Sequence, residues 1–141
     1  MGYLLDTNVI SEPMRPRPAA AVLRWLERRD PAQLFITALT LGELVAGVGR
    51  LAQSDRQRAL AGWLADVVVP QFSGRILPFD VGAAWAWGAL VADAAKAGRP
   101  RPAIDLQIAA IAAYHRLELV SRNAADFVDL GLDVTNPWSD A

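Results

Sequence analysis

The chain contains no cysteine, and His115 and Lys96 are its only histidine and its only lysine. Without cysteine neither a disulfide nor a thiolate nucleophile is available, and this usage is typical of the reducing cytoplasm. A zinc site is disfavoured, because such sites are built mainly from several Cys and His ligands. We therefore expect a cytoplasmic protein whose chemistry rests on other side chains.

Long hydrophobic runs are also missing. The longest, at 81–95, is interrupted by Gly88 and Asp93 and is too short to span a bilayer. No segment combines a basic start, an apolar middle and a small-residue cleavage site, so we expect no signal peptide and no membrane partner. Residues 1–141 have the length of one domain.

Neither sign of charge is in excess, because 14 Lys and Arg balance 15 Asp and Glu and the net charge is −1. This balance excludes a basic field over the whole molecule of the kind that attracts nucleic acid. Every cationic side chain except Lys96 is nevertheless arginine, which binds phosphate bidentately. A GC-rich coding sequence is the simpler explanation of that bias, so any phosphate contact is expected to be local.

Short apolar segments alternate with helical patterns along the chain. Strands are predicted at 3–5, 34–36, 75–77 and 117–120. Helices are predicted around 22–26, 41–51, 60–67, 81–97, 103–114 and 124–130, with a loop at 98–102 and a tail at 133–138. This alternation predicts the α/β class, in which helices cover both faces of a short central parallel sheet and make three layers, α/β/α.

Polar residues stand where the predicted strands end. Asp6 follows the first strand, Glu43 opens the helix after the second, and Asn123 follows the last. Asp105 begins the helix that leads into the last strand, on the face that the apolar pattern predicts to be buried. Because sites in parallel sheets form outside the carboxyl ends of the strands, we expect these four residues to share one polar pocket.

Such a set of acids favours a metal ion. Carboxylates within about 4–6 Å of one another repel, and the pKa of at least one rises unless a cation intervenes. Mg²⁺ and Mn²⁺ prefer oxygen ligands, and Mg²⁺ polarises phosphoryl oxygens and lowers the pKa of bound water. The pocket therefore predicts Mg²⁺- or Mn²⁺-assisted hydrolysis of a phosphate ester.

Each of these residues, taken singly, also has a local structural interpretation. The alternatives are a capping box formed by Thr40 and Glu43, a first-turn position for Asp105, an Asx turn at 6–8, and helix capping by Asn123 with Asp126 three residues later. Their shared position at one edge of the sheet favours the pocket over four independent local roles.

Four segments carry a resemblance to a known family. They are YLLDTNVISE at 3–12, FITALTLGELVAGV at 35–48, PRPAIDLQIAAIA at 100–112 and LVSRNAADFVDLGLDVTNPW at 119–138. In these segments, which extend over nearly the whole chain, the sequence resembles a PIN domain, and specifically the toxin ribonucleases of the VapC/FitB type. The final Asn-Pro-Trp resembles the FitB-like branch.

The resemblance implies a compact α/β/α fold, dependence on Mg²⁺ or Mn²⁺, and endonucleolytic cleavage of RNA. It assigns Asp6, Glu43 and Asp105 as catalytic metal ligands. It also implies a cognate VapB/FitA-like antitoxin that blocks the acidic pocket, a toxin homodimer, and contact with DNA only through the antitoxin.

One departure concerns the fourth ligand. Many PIN domains have an acid where this sequence has Asn123, which supplies an oxygen but no charge. Asp126 is a weak candidate to replace it. We therefore expect one well-occupied metal site, with a second filled only when substrate phosphate adds ligands.

Residues beside the acids are candidates for substrate contacts. The candidates for positioning the phosphate or its waters are Thr7, Asn8 and Thr37, and those for phosphate contacts are Arg122, Arg101 and Arg99. Ordinary solvated loop arginines are the simpler interpretation of Arg99 and Arg101.

Other classes stay open. A haloacid-dehalogenase-type phosphatase also uses Mg²⁺ and an acid at a strand end, but it requires Asp-x-Asp where this sequence has Asp6-Thr7-Asn8. A receiver-like signalling module requires an adjacent pair of acids, and this sequence does not show one. A catalytically silent PIN module that only binds RNA or antitoxin is disfavoured by the three intact acids.

Overall fold

A five-stranded sheet, all of its pairs parallel, forms the centre of the computed structural model, which describes residues 2–99 and 101–139. Of the predicted loop at 98–102, Pro100 lies outside the described residues. The strands are β1 Tyr3–Leu5, β2 Leu34–Thr37, β3 Ile76–Leu77, β4 Glu118–Val120 and β5 Val134–Thr135.

Helices fill the connections between these strands. They are α1 Thr7–Ser11, α2 Ala20–Glu27, α3 Ala38–Gly49, α4 Asp55–Trp63, α5 Val69–Gln71, α6 Val81–Lys96 and α7 Ala103–His115. A π-helical turn at Leu64–Val68 joins α4 to α5. None of the helices in residues 2–99 and 101–139 has the length and apolar character needed to cross a bilayer.

The strand order across the sheet is β3-β2-β1-β4-β5. The chain builds outward from β1 to β3 and then continues on the other side of β1 with β4 and β5. The order therefore reverses between β1 and β4, which pair in register from Tyr3↔Glu118 to Leu5↔Val120. In open parallel sheets the crevice at such a reversal is where ligands bind.

The side chains of the central strands alternate between two cores. Leu4 and Leu119 pack on one face of the sheet with residues of α6 and α7, such as Ala83 and Ile108. Leu5 and Val120 pack on the opposite face with Val9, Val22 and Trp25 of α1 and α2. Because successive strand residues point to opposite faces, this alternation makes three layers and confirms the predicted α/β/α fold class.

Three short regions differ from the sequence prediction. Helix α1 begins at Thr7, directly after the strand residues and Asp6, where no helix was predicted. Within the predicted tail, Val134 and Thr135 pair with Leu119 and Val120 as strand β5. Five helical and two strand residues are too few to show a hydrophobic period. The helix predicted at 124–130 consists instead of two 3-10 turns, Ala124–Asp126 and Val128–Leu130.

Strand β4 packs against a core on each face of the sheet, so shortening one of its side chains should lower the stability of the fold strongly. Leu119 is fully buried between the sheet and α7, so Leu119→Ala should lower the free energy of unfolding by about 2–5 kcal/mol. Val45→Ala, at an exposed position of α3, is the control and should stay within about 0.5 kcal/mol. Urea unfolding measures both, and equal effects of the two substitutions would contradict the described core.

Candidate active site

Asp6 lies at the reversal point of the sheet, between the ends of β1 and β4. Its side chain is buried and accepts two hydrogen bonds, from the Thr7 backbone N–H at 2.8 Å and from the Ser121 hydroxyl at 2.7 Å. Its own backbone N–H donates to the Val120 carbonyl at 2.9 Å. Hydrogen bonds to an ionised group are among the stronger ones, so the carboxylate is fixed at the junction of the two strands.

Thr7 connects Asp6 to Glu43. Its backbone N–H binds Asp6, and its hydroxyl donates to Oε1 of Glu43 at 2.7 Å. Glu43 is the sixth residue of α3, one and a half turns inside the helix, and does not open it as expected. One threonine therefore orients two of the predicted acids.

The cap of α3 is Thr37, not Thr40. The Thr37 side chain accepts from the Thr40 backbone N–H at 2.9 Å, so the capping box proposed for Thr40 and Glu43 is wrong and Glu43 is left to face the pocket. The predicted substrate role of Thr37 is also corrected. Its exposed fraction is 0 %, which leaves no surface for contact with a substrate.

Asp105 is the third residue of α7 and is partly buried. The N-cap of that helix is Pro102, and no side chain caps it. Burial raises the pKa of Asp105, and the charges of Asp6, Glu43 and Asp126 raise it further, while Arg101 acts in the opposite direction. The structure therefore brings the predicted acids to one edge of the sheet. We refer to Asp6, Glu43 and Asp105 there as the acidic pocket.

The acids do not form a closed ligand set. In the described part of the chain, no group of three or more His, Cys, Asp or Glu side chains is arranged to hold a metal ion. The predicted convergence is therefore incomplete. Asp6 and Glu43 are each hydrogen-bonded to a neighbouring hydroxyl, and like charges oppose a closer approach.

Asn123 and Asp126 lie on the exposed rim of the acidic pocket. Asn123 precedes the turn Ala124–Asp126 but its side chain makes no capping hydrogen bond, so the predicted capping role is wrong. Its backbone N–H donates to the Ser121 hydroxyl at 3.1 Å. Asn8 accepts a hydrogen bond from the Arg122 backbone N–H at 3.2 Å and so fixes the adjacent loop.

The predicted arginines fall into two groups. Arg99 and Arg101 both pair with Asp129, at 3.1 and 2.6 Å, and the Arg101 side chain is only 13% exposed. Arg122 is exposed, and its guanidinium carbon lies 5.2 Å from the ring centroid of Trp138. Within residues 2–99 and 101–139, no carboxylate lies within ion-pair distance of Arg122.

Sequence reasoning missed Ser121 and Asp129. Ser121 directly follows the buried pair at the end of β4, as Asp6 follows the end of β1, and this equivalence was a usable signal. Asp129 lies in a short 3-10 turn far along the chain from its two arginines, and no local pattern marks such a long-range ion pair.

The fold and site define an α/β protein with an acidic pocket where the strand order reverses. Residues 3–131 match the family model of the PIN domain. The chain therefore belongs to the PIN-domain family, and the resemblance seen in the sequence is confirmed.

Curated relatives match over nearly the full length. Toxin FitB of Neisseria gonorrhoeae (strain ATCC 700825 / FA 1090) is 38% identical over 137 residues, covering 97% of this chain and 99% of that protein. VapC ribonuclease Y4jK of Sinorhizobium fredii (strain NBRC 101917 / NGR234) is 36% identical over 138 residues, covering 98% of this chain and 99% of that protein.

Solved structures match closely in three dimensions. FitAcB from Neisseria gonorrhoeae superposes with a TM-score of 0.93 at 37% identity over 97% of this chain and 99% of that chain. FitAB bound to the IR36 DNA fragment superposes with a TM-score of 0.94 at 34% identity, over 99% of this chain and 97% of that chain. A member of the VapBC family of toxin-antitoxin systems from Mycobacterium tuberculosis superposes with a TM-score of 0.68 at 27% identity, over 95% of this chain and 95% of that chain.

The charge cluster around Asp105 predicts a stability change. Because the pKa of Asp105 is raised in the folded state, its ionised form destabilises the fold above that pKa. In EDTA at pH 7, Asp105→Asn should therefore raise Tm. The gain should shrink as pH falls through the raised pKa and approach zero below the ordinary value of 3.8, where both states bind the proton.

Thermal unfolding from pH 7 to pH 4 checks this prediction, with Asp66→Asn as the control because Asp66 is exposed. A lower Tm for Asp105→Asn at pH 7, or a gain that widens in acid, would show that the carboxylates around Asp105 do not repel it.

Proposed function

We propose that the chain, as a single PIN domain over 1–141, is a Mg²⁺- or Mn²⁺-dependent endoribonuclease and the toxin of a type II toxin–antitoxin pair. The observation that carries this proposal is the partly buried Asp105 within the field of Asp6, Glu43 and Asp126. A cation offsets such a field. The printed names of the relatives, toxin FitB and VapC ribonuclease, support the same activity.

The donor set fits a hard divalent cation. All the side chains around Asp105 that raise its pKa are carboxylates, and Mg²⁺ and Mn²⁺ prefer such oxygen ligands. Asp6, Glu43 and Asp105 would hold the ion, with Asn123 and Asp126 as weaker candidates. When bound, the ion lowers the pKa of a water and polarises a phosphoryl oxygen.

The protein's own residues orient the acids and handle the proton. Thr7 and Ser121 fix Asp6 from two sides, and the Thr7 hydroxyl also holds Glu43. The proton of the attacking water passes to a neighbouring carboxylate or to solvent, so no histidine base is required. His115, at the other end of α7 from Asp105, is exposed and contacts the ring of Tyr114.

The alternative is a catalytically silent PIN module that binds RNA or antitoxin, and the three intact acids disfavour it. The phosphatase alternative is disfavoured as well. Asn8 stands where that class requires its second acid, and its side chain holds the Arg122 backbone.

The solved relatives support the partners. The printed titles name FitAB bound to a DNA fragment and the VapBC family of toxin-antitoxin systems. We infer a VapB/FitA-like antitoxin that covers the acidic pocket in the cytoplasm and alone contacts DNA. Val81 and Trp85 on α6 are 76% and 80% exposed, and large exposed apolar side chains of this kind suit the proposed homodimer.

Cleavage of mixed cellular RNA tests the activity. With Mn²⁺ or Mg²⁺ the antitoxin-free chain should make discrete cuts that disappear in EDTA and in Asp105→Asn, while Asp66→Asn should cut normally. Intact RNA from folded, metal-loaded protein would favour the silent module. Hydrolysis of p-nitrophenyl phosphate without RNA cleavage would favour the phosphatase.

Calorimetric titration with Mn²⁺ tests the number of metal sites. Without RNA we expect a single tight ion for each chain, because Asn123 supplies no charge. Asn123→Asp should add a second, weaker binding event. Two tight ions in the unmodified chain would refute the one-site hypothesis, and titration of Mn²⁺ into buffer without protein gives the baseline.

A further inference from the structure

The loop that follows β4 is held at the acidic pocket by two distant parts of the chain. The Arg122 backbone N–H donates to Oδ1 of Asn8 at 3.2 Å, and its carbonyl accepts from Nδ2 of Asn136 at 3.2 Å. The preceding residue, Ser121, binds Asp6. Both backbone polar groups of Arg122 are therefore used within the protein, which fixes this residue at the rim of the acidic pocket.

The C-terminal segment 136–138 is itself firmly attached. Oδ1 of Asn136 accepts from the Trp138 backbone N–H at 2.9 Å, so one amide side chain braces both this segment and the Arg122 loop. Pro137 is buried, and Trp138 packs against the core cluster on the α1 and α2 side of the sheet. The Trp138 ring is therefore held in place beside the Arg122 guanidinium.

The contact with Trp138 differs in kind from the ion pairs of the other two arginines. The single carboxylate of Asp129 pairs with both Arg99 and Arg101 and offsets one of their two positive charges. An aromatic face attracts a cation without cancelling its charge, so Arg122 keeps its formal charge. Its N–H donors form the planar fork that matches a phosphate.

We propose that Asn136 and Trp138 are positioning residues that hold Arg122 at the rim of the acidic pocket, where its guanidinium binds a phosphate of the RNA strand. This inference rests on the proposed ribonuclease function. It gives the Asn-Pro-Trp motif a role in substrate binding that goes beyond attachment of the C-terminal segment.

RNA affinity in EDTA tests the inference without catalysis. The probe is a fluorescein-labelled single-stranded RNA oligonucleotide of mixed sequence, titrated by anisotropy at several salt concentrations. Arg122→Ala should weaken binding and lower the salt slope by about 0.7, the value for one phosphate contact on a single strand. Arg28→Ala is the matched control, because Arg28 is exposed and lies between α2 and β2, towards the opposite edge of the sheet.

Two substitutions separate the aromatic face from simple packing. Trp138→Leu keeps apolar bulk but removes the ring, and should weaken RNA binding about two- to fivefold, the range for an exposed cation–π contact. Trp138→Phe keeps a ring and should bind RNA nearly as the unmodified chain does. With Mn²⁺ present, Trp138→Leu should raise KM and leave kcat nearly unchanged, because only uniform binding is lost.

The double variant Arg122→Ala/Trp138→Leu decides whether Trp138 acts through Arg122. If it does, the double variant binds RNA no more weakly than Arg122→Ala alone. A further loss in the double variant, parallel to a fall in Tm, would show a merely structural role and overturn the inference. So would unchanged RNA affinity in Arg122→Ala while the unmodified chain cleaves RNA.

The proposed function and this inference fail in different ways. If the unmodified chain binds RNA but does not cut it with Mn²⁺, the nuclease activity is refuted, and the Arg122 variants still test the positioning role. If the unmodified chain does not bind RNA, both proposals are overturned.

Discussion

The parallel pairing of β1 with β4 is the constraint on which the site depends. It places Asp6 and Ser121, which are far apart in sequence, at adjacent strand ends, and the 2.7 Å hydrogen bond between them follows from that register. Helices α3 and α7 then bring Glu43 and Asp105 to the same edge. A slip of this pairing by one residue would turn every strand side chain to the opposite core, so the packing of both cores also fixes the site.

The acidic pocket opposes the stability that this packing provides. Burial and three neighbouring carboxylates disfavour the ionised form of Asp105, and only part of that effect is offset by Arg101. Proteins commonly retain such locally unfavourable groups where function requires them. Thr7 and Ser121 limit the conflict, because they fix Asp6 and Glu43 with hydroxyl donors and not with cations that would neutralise the site.

The sequence predicted the layers and the place of Asp6 at the end of β1 because both follow from short-range patterns. Apolar strand segments and helical periods mark the α/β fold, and Asp6 directly follows one such strand. Thr37 as the cap of α3, the ion pairs of Asp129 and the brace from Asn136 depend on contacts between distant segments. No local period encodes those contacts, and the two residues of β5 are too few to show one.

The short outer strands affect how readily one chain can pair with another through the edges of the sheet. Both edges of the sheet, β3 and β5, contain two residues each. An exposed edge recruits other chains through its row of unpaired backbone groups, and very short edge strands limit that recruitment. The fold therefore offers little template for edge-to-edge aggregation, and pairing with further copies of the chain through the sheet is disfavoured.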